Sequence, residues 1–235
     1  ARPMLGEFID MLDLAFLEET FEFHGEHYDL PSTHISARPV NGLPQIWIAG
    51  DHEYGHRLCA RKGYVPLFTG RWLGADYQRQ QREFIAKSYV AEGRDPETMP
   101  LAVQRFMGVT KTHEETLAYV DNARHQMRLA SALRRRAEVT DGAMMREIPI
   151  PNEPPLEEIA GQLLVGDCET IAERLCKEIQ ASRPLHMMFH FQVGGSAHAH
   201  ALMTMEKLMT DIKPLVEKEL GPLETLGQPT PAAQA

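Results

Sequence analysis

Apolar residues recur along this chain at two alternating periods, and the switches between them mark out most of its elements. From Met4 to Leu17 they fall at i, i+3/i+4 and i+7/i+8 with acids on the other face, which predicts an amphipathic helix. A Gly- and His-containing stretch, Phe21 to Leu30, and a loop from Pro31 to Pro44 follow. The run Ile46-Trp47-Ile48-Ala49-Gly50 is short, β-branched and aromatic, and it predicts a buried strand. A helix is expected over Glu53 to Lys62, stopped by Gly63, and a second strand over Tyr64 to Thr69. The alternation continues with a helix over Ala75 to Glu92 ending at Gly93, then a strand over Leu101 to Thr110 introduced by Pro100. Thr112-x-x-Glu115 reads as a capping box opening a long helix to Arg136. Val139 to Pro155 has little periodicity and reads as a long surface excursion. A helix over Asp167 to Ala181, a fourth strand over Leu185 to Phe191 and a closing helix over Ala197 to Leu220 complete the pattern. The Pro-, Ala- and Gln-rich tail, residues 221–235, has no core-forming pattern and is expected to be disordered.

Strands that alternate with helices and are apolar on both faces point to an α/β fold with a parallel sheet covered by helices. A whole (β/α)₈ barrel needs about 250 residues and eight strands, and this chain of 235 residues shows four. Either half of a barrel is missing or the sheet is open with unusual insertions. The first residue is Ala1 rather than Met, which fits an expectation of missing upstream chain.

Charge narrows the function. A net charge of -9 disfavours a polyanionic partner, and the basic cluster Arg134 to Arg136 is too short to track phosphates. No nucleic-acid partner is therefore expected. No run approaches the ~20 apolar residues that span a bilayer, and the start lacks a signal-peptide pattern, so a cytoplasmic location is expected, away from the membrane. Cys59, Cys168 and Cys176 lack Cys-x-x-Cys spacing and read as reduced thiols filling apolar space.

Three segments carry a resemblance. The first runs Phe-Glu-Phe-His-Gly-Glu-His-Tyr from Phe21, then Arg38-Pro39-Val40, then Pro44-Gln45-Ile46-Trp47-Ile48-Ala49-Gly50. The second is Leu164-Val165-Gly166-Asp167-Cys168-Glu169 leading into Leu175, and the third is Phe191-Gln192-Val193-Gly194-Gly195 before a helix near Lys213-Pro214-Leu215. In this order and spacing they resemble the bacterial luciferase-like, flavin-dependent monooxygenases. The resemblance implies a parallel (β/α) barrel of TIM type, of which residues 1–220 form only the C-terminal half, about four β/α units. Exposed sheet edges in such a half would call for a homo-oligomer or another partner. It further implies reduced FMN, supplied by a flavin reductase or another source, acting with dioxygen on a small, apolar substrate. A deazaflavin, transferring hydride without oxygen, is the secondary alternative as cofactor. A rival expectation is a truncated, non-catalytic homologue that binds flavin or only dimerises.

The turn Gly50-Asp51-His52-Glu53-Tyr54-Gly55 joins a strand end to a helix start, where N–H groups and the helix dipole favour an anion. In the family the matching loop contacts the flavin phosphate, which implies Gly50, Asp51, Tyr54 and Gly55 as cofactor residues. Asp51 departs from the small or hydroxyl residues usual there, since its charge repels phosphate; the alternative is that it caps the helix. His52-Glu53-x-x-His56 also matches a zinc-hydrolase pattern, although Gly55 weakens the helix and no Gly and His extend the motif. No metal is expected.

Within Leu101 to Thr110, Gln104 and Phe106 share a face while Arg105 points the other way. The resemblance places that face at the barrel mouth, with Gln104 against the flavin and Phe106 against substrate; a core Phe and a hydrogen-bonded Gln are the alternative. His190 and Gln192 share a face of the last strand, and Gly194-Gly195 offers backbone amides to a ligand. His190 is the one catalytic candidate, suited to proton transfer, with a satisfied core histidine as the alternative. The Met144-Met145 pair falls where the family places a mobile lid, although these residues read equally well as linker.

Overall fold

The computed structural model describes residues 2–226, which form two compact units dividing between Trp47 and Ile48. In the first unit, helix α1 (Arg2–Leu17) is followed by an antiparallel hairpin of β1 (Thr20–His24) and β2 (Asp29–His34). This hairpin occupies the stretch to which periodicity assigned no element: β1 alternates, while β2 carries Pro31 and an extra residue where the register shifts opposite Phe21 and Phe23. Its turn closes on Glu7, whose carboxylate accepts the amides of Glu26, His27 and Tyr28. Those bonds hold the Glu7 carboxyl below its ordinary range against the opposing effect of desolvation.

The second unit is the α/β body. Strands β3 (Trp47–Ala49), β4 (Val65–Thr69), β5 (Ala102–Val109) and β9 (His186–His190) fall where four strands were expected. Between them lie α2 (Glu53–Lys62), α3 (Ala75–Ala91), α4 (His113–Arg135) and α6 (Cys168–Ser182). Local chemistry sets their ends. Gly63 takes the left-handed conformation that ends α2, and Thr112 and Glu115 form the capping box of α4 in both directions.

β5 is the centre of the sheet. It runs parallel to β4, with Thr69 opposite Gln104, and parallel to β9, with Phe106 opposite His190. Its last residues pair with a short extra strand, β8 (Leu164–Gly166). The sheet order is β3-β4-β5-β8 with β9 also on β5, and it does not close into a barrel. On one side, Leu101, Val103 and Phe68 pack with Ile85 and Tyr89 of α3. Met107 and Val109 pack with Ile171, Leu175 and Ile179 of α6.

Three details depart from the periodicity. The surface excursion contains a small hairpin, β6 (Thr140–Asp141) with β7 (Met144–Met145), before helix α5 (Leu156–Gln162). Glu147 and Glu153 bind it to α4, Glu147 through His125 and Arg128 and Glu153 through Arg124 and Arg128. The closing helix is two helices, α7 (His198–Lys207) and α8 (Lys213–Leu220), joined by a π turn over Leu208–Ile212. Of the expected tail, 227–235 lie outside the described residues, while Leu223 and Leu226 pack beside the α6 cluster. No described helix is long and apolar enough to cross a membrane.

Candidate cofactor site at the strand ends

Alternation along β5 brings three of the expected residues together. Gln104 and Phe106 lie on the face of β5 opposite Val103 and Arg105, where Phe106 is buried among Tyr119, Val120 and Ala123 of α4 and Ile159 of α5, and the parallel register sets His190 of β9 beside Phe106. The Gln104 amide Nε2 lies 2.6 Å from His190 Nε2, and the rings of Phe106 and His190 meet edge-on at 5.7 Å. Donation by the amide to Nε2 leaves the ring proton on Nδ1 and the imidazole neutral. Burial pushes the His190 pKa down in the same direction. Tyr119 braces the strands by donating its hydroxyl to the carbonyls of Met107 and His190. A neutral imidazole with a fixed tautomer, beside an aromatic wall on a half-buried face, can exchange a proton with a bound ligand.

The turn after β3 is built differently from expectation. His52, not Asp51, caps α2: its Nδ1 accepts the Gly55 amide at 3.0 Å. The ring lies so close that a Cβ at Gly55 would stand 2.9 Å from it. Asp51 instead reaches Arg71, in the turn after β4, at 3.0 Å. His56 is buried under the turn with Nε2 3.1 Å from the Gly50 carbonyl, and its ring meets Phe84 edge-on. Burial lowers the His56 pKa. The His-Glu-x-x-His stretch therefore spends both rings on the backbone, His52 on the Gly55 amide and His56 on the Gly50 carbonyl. Among the described residues, the three side chains at metal-ligand spacing are Glu7, Glu26 and His27, and the Glu7 carboxylate already serves three amides.

The turn after β9 is also more self-contained than expected. The Gly195 amide, expected to be open to a ligand, donates to Asn122 Oδ1 at 2.6 Å. Gly194 is left-handed at φ +50°, and a Cβ there would come 2.7 Å from the same oxygen, so the turn is packed on α4. Gln192 lies past the end of β9 and turns back on Ser196 and His198. Gln104, Phe106 and His190 thus converge, while Gln192 bonds within its own turn and Gly194 and Gly195 pack on Asn122 of α4.

Residues 1–183 match the family model for luciferase-like monooxygenases. The chain belongs to that family. A relative from Sinorhizobium fredii, the uncharacterized protein y4vJ, is 27% identical over 223 residues, which are 94% of this chain and 64% of that protein. The chain thus spans just under two thirds of that relative's length. In fold it resembles the FMN-bound oxygenating constituent of 3,6-diketocamphane monooxygenase from Pseudomonas putida, with TM-score 0.65 and 17% identity over 91% of this chain and 63% of that one. It also resembles an F420-dependent secondary alcohol dehydrogenase bound to an F420-acetone adduct, with TM-score 0.66 and 12% identity over 92% of this chain and 62% of that one. The parallel sheet is the luciferase-like TIM-barrel sheet, here unclosed.

Two charged groups near these candidate residues were missed in the sequence. Arg105, buried on the helix side of β5, forms a two-pronged pair with Glu178 of α6 at 2.6 and 2.9 Å. Its other donors reach the carbonyls of Arg71 and Gln162. Burial pushes the Glu178 carboxyl up, and the Arg105 charge opposes it. The signal was present: a guanidinium at a helix-facing position of an apolar strand requires a buried partner. Arg71 gave no comparable signal, because its role depends on a left-handed backbone at φ +52°.

Proposed function

We propose that this chain forms the cofactor site of a flavin-dependent oxidoreductase, a monooxygenase that acts on a small apolar substrate. The observation that carries the reading is the Gln104–His190 contact at 2.6 Å beside Phe106, on the half-buried face of the strands. The residues fit a flavin: an aromatic ring, Phe106, stands beside one polar pair, and the turn at Gly50, Asp51, Tyr54 and Gly55 follows a strand of the same parallel sheet. Gln104, Phe106 and His190 would hold the ring, and the turn its phosphate end. When bound, reduced flavin supplies the electrons that activate dioxygen. Phe106 excludes water from that face, Gln104 fixes the imidazole, and His190 gives or takes a proton at Nδ1. A separate flavin reductase is the proposed source of reduced flavin. FMN and a deazaflavin are both consistent with the structural relatives, one bound to FMN and the other to an F420 adduct.

Titrating the chain with FMN and with F420, followed by fluorescence, tests this reading. Saturable binding of one of them, with Kd on the order of micromolar, is expected; a folded chain that binds neither contradicts it. Asp51 favours a second reading, a homologue that binds flavin without turnover, because a carboxylate at the phosphate turn weakens the hold on cofactor. Substrate-dependent consumption of dioxygen with reduced FMN would eliminate that second reading.

A further inference from the structure

The turns after β3 and β4 end adjacent strands of the sheet, and each carries one charge toward the other: Asp51 and Arg71. Three features set Arg71 apart from an ordinary surface arginine. Its backbone is left-handed, a conformation that side-chain-bearing residues seldom adopt, and Arg105 Nη1 holds its carbonyl at 2.9 Å. Gly70 permits this, since a Cβ there would lie 2.5 Å from Arg105 Cδ. Most tellingly, Asp51 engages only Arg71 Nη2, while Arg71 Nε is buried with no partner. The Nε–Nη2 edge of a guanidinium is the edge that binds two oxygens of one anion in parallel, and half of it is unused. The pair with Asp51 is also weakly held, with 58% of the carboxylate side chain exposed.

We propose that Arg71 is the counter-charge for the phosphomonoester of the cofactor, with Asp51 as an exchangeable stand-in that the phosphate displaces. Two phosphate oxygens satisfy both Nε and Nη2, which the single Asp51 contact does not. The buried Arg105 keeps the turn in the conformation that presents this edge. The charge repulsion expected from Asp51 then becomes a threshold: a dianion displaces the carboxylate, and a neutral ligand does not. This inference rests on the flavin reading above and concerns only the phosphate end of the ligand.

The experiment compares FMN with riboflavin, which lacks the phosphate, and with riboflavin plus inorganic phosphate, by fluorescence titration. Wild-type chain is expected to bind FMN about tenfold or more tighter than riboflavin, as two charge-assisted hydrogen bonds allow. Arg71→Asn, a residue that tolerates the left-handed backbone, should bring the two affinities together while leaving riboflavin binding unchanged. Asp51→Asn should tighten FMN several-fold and leave riboflavin unchanged. Free phosphate should compete with FMN and not with riboflavin in the wild type. Thermal unfolding confirms that each variant is folded. Equal binding of FMN and riboflavin by the wild type overturns the inference and leaves the flavin reading standing, as does an FMN preference that survives Arg71→Asn. Binding of neither flavin overturns both.

Discussion

Gln104 and Arg105 are neighbours in sequence and occupy opposite environments. Arg105 is fully buried against the helices, with its donors spent on Glu178 and two carbonyls. Gln104, one residue earlier, is half-buried, and its amide meets His190. Arg105 belongs to the packed interior and Gln104 to the face proposed for cofactor, so substitutions of the two should fail in different ways.

The sharpest break is on the helix side. Glu178→Ala leaves a buried guanidinium unpaired and should cost about 3–5 kcal/mol in urea unfolding, as for other buried pairs cut on one side. Replacing both partners, as Arg105→Met with Glu178→Leu, should cost far less than the sum of the single changes. Additive costs would show that the pair is not coupled. Gly70→Ala forces the Arg105 stem aside and should cost about 1–3 kcal/mol, as overpacking does; a neutral effect in thermal unfolding would mean that the turn adjusts freely.

Acid should act through the buried His56 and the half-buried His190. Burial lowers the pKa values of His56 and His190 in the folded chain. The unfolded chain therefore takes up these protons first, and the stability is present above the unfolded value of about 6.5 and lost as pH falls below it. The slope should be at most about 1.4 kcal/mol per pH unit for each histidine, and His56→Gln should flatten it. A pH-independent midpoint between neutrality and pH 5 would contradict the burial of both rings. The smallest stability effects belong to the binding side: Gln104→Leu and His190→Ala should each shift unfolding by less than about 1 kcal/mol, since neither side chain is fully buried.

How much of this was legible in the sequence follows the same division. The four principal strands and the ends of their helices could be read because apolar period, Gly63 and the Thr112–Glu115 box are local signals. The convergence of Gln104, Phe106 and His190 was half legible: alternation gave the shared face of β5, and the pairing with β9 needed the register. The β1–β2 hairpin was hidden because β2 is mostly polar and carries Pro31, and the interruption of the last helix by a π turn has no composition signal at Leu208–Ile212. The reach of Asp51 to Arg71, and of the Gly195 amide to Asn122, joins residues 20 and 73 positions apart, which no local pattern encodes.

The most direct measurement is a flavin titration of the Gln104→Leu, His190→Ala double variant beside the wild type, each checked by thermal unfolding. The account predicts at least about tenfold weaker binding, or ~1.4 kcal/mol, with the unfolding midpoint nearly unchanged. Unchanged flavin affinity in the folded double variant would contradict the assignment of this face as the cofactor site.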